Sequence, residues 1–222
     1  MESWRSGLLF AHLPVDVGKL LVSQAKVVEV ETNAQLCSEG SPAAKLFLIK
    51  KGQARYYRLS ETGKETILYW LGPGDTFGLG TLLPHPSPYL GSASAACPCT
   101  ILSWDHHTIR RIALAYPQVA CNAIAIVLRY LAAASERHLR LFGNSARDRI
   151  ARTLLDLGRR TGDVTASGVD LHITNDELAS LADVSRFTVS RTLSSWDREG
   201  AVKKARKELH INAPEKLLRI LH

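Results

Sequence analysis

The stretch from Ile173 to Val202, ITNDELASLADVSRFTVSRTLSSWDREGAV, restricts the possible folds of this chain more than any other. It holds two helix starts, a very short break between them and a helix stop. The hydroxyl of Thr174 can cap a first helix, and Glu177 three residues on can reach back to complete a capping box. Leu178, Ala179, Leu181 and Ala182 supply an apolar face. Asp183-Val184 breaks the pattern, and Ser185 is a second N-cap candidate. Val189, Leu193 and Trp196 then recur at helical spacing, whereas Phe187 falls off that face. Arg186, Thr188, Ser190 and Arg191 occupy the remaining face, and Gly200 suits the left-handed residue that ends a helix.

Such a pair is either an ordinary αα-hairpin or a DNA-reading helix-turn-helix, in which the second helix turns its first residues toward base edges. Small Ala179 at the crossing, the short turn and two outward arginines favour the second reading. After Gly200, Val202 and Leu209-His210-Ile211 bracket Lys203, Lys204, Ala205, Arg206 and Lys207, a β-hairpin with a basic tip, or wing. Alone, that run would be a solvated charge cluster. Beside a helix-turn-helix its cations are expected to neutralise phosphates. The net charge of +7 divides as +1 over residues 1–103, +3 over 104–142 and +3 over 143–222, an excess toward the C-terminal side that suits a polyanion. Upstream, NSARDRIARTLLDLGRR (Asn144–Arg160) predicts an amphipathic helix with Ile150, Leu154, Leu155 and Leu157 inward and its arginines outward. Thr161–Gly168 reads as a polar loop, Val169, Leu171 and Ile173 as a strand, and Pro214–His222 as a tail helix docked by Leu217, Leu218 and Ile220.

Residues 1–104 have a different period. After a poorly patterned opening with Pro14 and Gly18, apolar residues alternate over Lys26–Thr32, Leu46–Lys51, Ala54–Leu59 and Thr66–Trp70, with later strands near Leu90–Ala96 and Thr100–Trp104. Turn signals at Gly52, Glu61–Lys64 and Gly72–Asp75 separate them, which predicts a small β-roll or jelly roll. GDTFGLGTLLPHPSPYLGSAS (Gly74–Ser94) interrupts the strands; its glycines permit either an anion nest or a plain turn. Across residues 105–143, Asp105 starts a short helix that Tyr116-Pro117 stops, and Pro117 suits the start of a long one. In the long helix Ala120, Ile124, Val127, Leu131, Ala134, His138 and Leu141 alternate spacings of four and three, a heptad seam. The seam predicts a parallel homodimer, with a core helix as the rival; His138, facing its own copy, is either a titratable pair or a structural histidine. The fold class is therefore α+β, with a sensor-like β-roll at 1–104, short and long helices at 105–143 and a winged helix-turn-helix at 144–222.

No segment is read as reaching about twenty apolar residues, because the apolar run near Ile124 is cut by Asn122 and Arg129, and no long apolar segment follows MESWRSGLLF. A cytoplasmic protein with no membrane partner is expected. Cys37, Cys97, Cys99 and Cys121 form no disulfide framework. Cys97-Pro98-Cys99 could serve redox or metal sensing, or its thiols could simply be buried. No nucleophile–base constellation or metal-ligand spacing points to an enzyme.

The order of parts, with RDRIARTLL (Arg147–Leu155), VSRFTVSRTL (Val184–Leu193) and FLIKKGQARYYRLSETGKETILYWLGPGDTFG (Phe47–Gly78), resembles the bacterial cyclic-AMP receptor/fumarate-nitrate regulator (CRP/FNR) family over nearly the whole chain. The resemblance implies a dimeric transcription regulator whose two recognition helices enter successive major grooves of palindromic double-stranded DNA, with RNA polymerase as a further partner. It implies base readout by Arg186, Phe187 and Arg191, and phosphate contacts by Thr174, Ser185 and Thr188 beside the wing cations Lys203, Lys204, Arg206 and Lys207. Where the family's recognition pattern has an acidic residue, this chain has Phe187. Phe187 cannot accept a hydrogen bond from cytosine but can pack on a thymine methyl.

A second departure concerns the sensor. Family members that bind cyclic AMP carry a Gly-Glu pair and an Arg-Ser pair. Here Leu79 follows Gly78, and no Lys or Arg occurs from Glu65 to Ile109. A buried phosphate without a cation is costly, so cyclic AMP bound in the family's way is not expected. An iron–sulfur centre is not expected either, because no cysteine precedes Cys37. A haem would need axial ligands; His12, His85, His106, His107 and His138 are available without a diagnostic spacing. Two expectations remain: an effector pocket formed by Gly78, Leu79, Gly80, Leu82, Leu83 and Tyr89 with Leu131, Ala134 and Ser135 of the long helix, or no effector. The alternative function is a cyclic-nucleotide-binding module acting mainly through protein contacts.

Overall fold

The computed structural model describes residues 7–60, 65–140, 145–205 and 208–219, without the side chains of 138–140 and 205. The chain divides into two compact units, one made of residues 1–58 and 69–134, the other of 59–68 and 135–222.

The first unit opens with a 3₁₀ turn (Leu8–Phe10) and α1 (Val15–Ser23). There follow β1 (Lys26–Val30), β2 (Gln35–Cys37), β3 (Lys45–Lys51), β4 (Ala54–Leu59), β5 (Glu65–Leu71) and β6 (Thr76–Phe77). A second 3₁₀ turn (Leu79–Leu82), β7 (Ser92–Ala95), β8 (Cys99–Asp105), α2 (His106–Ala115) and α3 (Pro117–Arg140) complete the series, with Leu59 of β4, residues 65–68 of β5 and 135–140 of α3 belonging to the second unit. Two four-stranded sheets, ordered β1-β8-β3-β6 and β2-β7-β4-β5, form the β-roll. β3 and β8 carry apolar residues on both faces because both faces are covered. Phe47, Ile49 and Ile101 join Leu71, Phe77, Ala93 and Ala95 in one core cluster. Leu46, Leu48, Leu102 and Trp104 join Leu21 of α1, Ile109 of α2 and Ile126 of α3 in another. Trp104 donates its indole N–H to the carbonyl of Leu21 at 2.8 Å, which satisfies the polar end of a side chain only 1% exposed. β2 and β6 lay unmarked in the sequence; at three and two residues they are too short to show a period.

α2 begins where Asp105 caps it, its carboxylate accepting from the Thr108 amide at 2.9 Å. α3 starts at Pro117, as its ring favours. One face of α3 docks through buried Val119, Ala123 and Ile126. Asn122 on that face donates to the carbonyls of Leu9 (3.0 Å) and Ala11 (2.7 Å), and the Tyr130 hydroxyl donates to the Thr76 carbonyl at 2.9 Å. By length and composition Pro117–Arg137 is apolar enough to cross a membrane, more than the interruptions at Asn122 and Arg129 suggested. Those two polar residues are its docking points, Arg129 pairing with Asp75 at 2.8 Å.

The second unit holds α4 (Ala146–Thr161), β9 (Asp163–Thr165), β10 (Gly168–Leu171), α5 (Asn175–Ala182), α6 (Arg186–Arg198), β11 (Val202–Ala205), β12 (Glu208–Ile211) and α7 (Pro214–Arg219). Its sheet is ordered β11-β12-β10-β9. Ile150, Leu154, Leu157, Leu171, Leu178, Val189, Leu193, Trp196, Leu209 and Leu217 are buried. Four sequence expectations change. Thr161–Gly168 is not only loop, because β9 pairs with β10 from Gly168↔Thr165 to Asp170↔Asp163. Leu155 is half-buried rather than inward. Leu218 is 49% exposed, so Leu217 alone of the described tail residues docks deeply. The arginines of α4 do not all face out, since Arg149 is turned into the unit. Ile220 lies outside the described residues.

Candidate nucleic-acid interface

The two helices are built by local signals. Thr174 and Glu177 form the full capping box of α5, each satisfying the other's backbone amide. Ser185 caps α6, accepting from the Thr188 amide at 3.1 Å. Between them Asp183 adopts φ 51° and ψ 49°, a left-handed conformation that aspartate tolerates better than most residues. The tight turn follows: the amides of Asp183 and Val184 both fold back onto the carbonyl of Ala179. Gly200, at φ 68°, then ends the second helix.

Two arginines from distant positions complete the turn. Arg137 grips Asp183 with two bonds of 2.8 and 2.9 Å and donates to the carbonyls of Ser180 and Ile67, both at 2.7 Å. Arg149 donates to the carbonyls of Ala182 (3.0 Å) and Asp183 (3.2 Å). α5 has no basic residue in its own last turn. These guanidiniums satisfy its free carbonyls and lie at the negative end of its dipole. Sequence reading missed both roles, because the partners are 33 to 70 residues apart; the αL-compatible aspartate in the turn was the one available hint.

The anchor of α6 is Val189, Leu193 and Trp196, all 2% exposed or less, while Phe187 is 88% exposed. Arg186 and Arg191 are exposed as well. Arg186 lies 3.5 Å from the Asp176 carboxylate, with both side chains about two-thirds in solvent, a pairing too exposed to hold the guanidinium fixed. Thr188 and Ser185 share a hydroxyl–hydroxyl bond of 2.9 Å. Thr174, by contrast, spends its hydroxyl on Glu177 at 2.8 Å. In the wing, Lys203 and Lys204 are exposed on β11; Arg206 and Lys207 lie outside the described residues. An open groove of about 300 Å³ between the helix pair and the wing is lined by Thr174, Asp176, Arg186, Lys204 and Glu208 among others.

The expected effector residues do not all gather at one place. Leu79 and Leu82 pack against the cluster around Leu46 and Ile109. Tyr89 is buried in the cluster around Phe47 and Phe77, its hydroxyl bonded to the amide and carbonyl of Lys45. Leu83 is half in solvent, and Leu131, Ala134 and Ser135 are exposed on α3. The glycines of the loop are used for close packing. A Cβ at Gly78 (φ 80°) would meet the Lys45 carbonyl oxygen at 2.5 Å, and one at Gly80 would clash with the Ser87 hydroxyl. Gly78 and Gly80 are thus packed against their own chain, and no Lys or Arg lies between Glu65 and Ile109. These residues do not fit a cyclic phosphate. Among the described residues no group of three His, Cys, Asp or Glu side chains is arranged to hold a metal. The Cys99 thiol donates to the Gln53 carbonyl at 3.1 Å, and burial pushes its pKa up to about 12. On the heptad seam, Ile124 and Leu131 are 60% exposed and Val127 49%; the His138 side chain and Leu141 lie outside the described residues.

Residues 27–116 match the cyclic nucleotide-binding domain, and residues 148–220 match the Crp-like helix-turn-helix domain. The chain is 33% identical over 165 residues to the cyclic AMP receptor protein of Thermus thermophilus, covering 74% of each protein. It is 27% identical over 203 residues to a CRP-like cAMP-activated global transcriptional regulator of Mycobacterium tuberculosis, covering 90% of this chain and 89% of that one. The fold matches that of FixK2 from Bradyrhizobium japonicum with a TM-score of 0.76 at 22% identity, over 88% of this chain and 96% of that one. The chain belongs to the CRP/FNR family of DNA-binding bacterial transcription regulators.

Proposed function

We propose that this regulator acts in the cytoplasm as a homodimer on a palindromic operator, each α6 entering one of two successive major grooves. The observation that carries the reading is the division of α6 into a buried stripe of Val189, Leu193 and Trp196 and an exposed face of Arg186, Phe187 and Arg191. Arg186 and Arg191 each grip a guanine through O6 and N7. Ser185, Thr188 and the wing cations Lys203, Lys204, Arg206 and Lys207 hold phosphates and set the register. Thr174 contributes by fixing the start of α5. RNA polymerase is the partner that turns promoter binding into regulation. The unit boundaries that suit this division of labour are a β-roll to residue 104, dimerisation helices to 143 and the DNA-binding part beyond.

The effector, where there is one, is not cyclic AMP held in the manner its relatives' names suggest. The close packing at Gly78 and Gly80 and the absence of Lys and Arg over residues 65–109 support this. Calorimetry with cyclic AMP and cyclic GMP is expected to show no micromolar binding, and a clear micromolar isotherm would restore the cyclic-nucleotide reading. The DNA reading is tested by selecting operators from a random palindromic library with the full-length protein. A symmetric site with guanines in both halves is expected; failure to enrich any sequence would refute it.

A further inference from the structure

Phe187 is the large apolar side chain of the helix pair that the fold leaves in water. It is 88% exposed, whereas Val189, Leu193 and Trp196 on the same helix are 2% exposed or less. It forgoes the burial its neighbours obtain, so its place is not explained by the stability of the unit. Its surroundings are rich in cations, with the Asp176 carboxylate beside Arg186 as a counter-charge. Arg186 precedes it, Arg191 stands one turn later on the same strip, and Lys203 and Lys204 are exposed on the wing. Those cations call for a polyanion, and within a DNA major groove the apolar feature a base edge offers is the C5-methyl group of thymine. A phenyl ring carries no acceptor for the cytosine amino group and no donor for guanine or adenine.

We propose that Phe187 is a specificity-determining residue that selects a 5-methylpyrimidine, thymine in ordinary DNA, at a base pair neighbouring the guanine gripped by Arg191. The assignment rests on the DNA-reading role proposed for α6. Operators selected by the full-length protein are remade with each thymine in turn replaced by deoxyuridine, which keeps every hydrogen-bonding group and removes only the methyl. One thymine per half-site is expected to matter, its replacement weakening binding on the order of fourfold, or about fifteen-fold when both half-sites are changed. Phe187→Ala is expected to bind the thymine and uracil forms equally. Its melting temperature should be unchanged, because the ring contributes nothing to the core. Equal binding of every uracil form by the unmodified protein overturns the assignment while leaving the DNA reading intact. A uracil penalty that persists in Phe187→Ala overturns it too. Failure to select any operator removes the parent reading and this one with it.

Discussion

On the proposed reading two kinds of cation face the nucleic acid, and they are expected to fail differently when removed. Arg186→Ala or Arg191→Ala deletes a bidentate guanine contact in each half-site, with an expected loss of about 1–3 kcal/mol per half-site of the selected operator and little on unrelated DNA. Lys203→Ala or Lys204→Ala removes a phosphate contact from each half-site, so binding should weaken on all sequences and the slope of log affinity against log salt should shrink by about two for the dimer. Filter binding at several salt concentrations separates the two, and a wing variant that altered base preference would contradict this division. Burial makes a further residue-scale prediction. With the Cys37 and Cys99 thiols both pushed up to about 12 by desolvation, almost no thiolate exists near pH 8. Neither should react with an aromatic disulfide reagent in the native protein, and both should react once it is unfolded. The residues of the interface that could be read from sequence are those whose cause is local. Thr174 with Glu177, and Ser185 with Thr188, act in pairs three positions apart. Arg137 and Arg149 could not be read, because a guanidinium on one helix carries no mark of the carbonyl it will meet on another.

Among the elements, α5 depends most on others, since the carbonyls at its C-terminus are satisfied by Arg137 of α3 and Arg149 of α4. Arg137→Ala frees the Asp183 carboxylate and the Ser180 carbonyl together. It should cost about 2 kcal/mol in denaturant unfolding, whereas Arg137→Lys, with no planar fork, should restore only part of this. A loss confined to DNA affinity, with stability intact, would contradict the structural role. α2 supplies a pH-dependent case. The Thr108 amide, followed by its hydroxyl, holds the Asp105 carboxyl below the usual carboxylate range. A depressed folded pKa adds stability above the unfolded value and loses it as pH falls through the folded one. Asp105→Ala should therefore cost about 1 kcal/mol at neutral pH, and the gap to the unmodified protein should close in acid, below about pH 4. At this scale β3 and β8 were legible through their strand-like runs and the turn signals around them, although both of their faces prove to be buried. The sequence concealed β9, whose residues are all exposed and carry no apolar alternation.

For the molecule as a whole, α3 has two faces with different partners. The inward face, Val119, Ala123 and Ile126, is spent on its own unit, while Ile124, Val127, Leu128 and Leu131 remain 49% to 60% exposed. The heptad reading named three of these four from spacing alone. It also included Ala120, which instead packs partly against the first unit's own core, because a strict 3.5 repeat drifts across the surface of a straight helix. An exposed stripe this apolar on a helix of 24 residues is expected to be covered by the same stripe of a second copy. Leu131→Glu places two carboxylates against each other at the seam without touching the inward face. Light scattering should then report a monomer whose circular dichroism is preserved. The effect on DNA follows from linkage between sites. A dimer binds its second half-site at an effective concentration near millimolar, so losing the partner should cost roughly 10²–10⁴-fold in operator affinity. Contacts within one half-site should persist, and the affinity for an isolated half-site should be unchanged. Inserting five base pairs between the half-sites should weaken the unmodified protein comparably, because the two grooves then face opposite sides of the duplex. The insertion should leave Leu131→Glu unaffected. Sensitivity of the monomeric variant to spacing would show that the second half-site is reached through some surface other than α3.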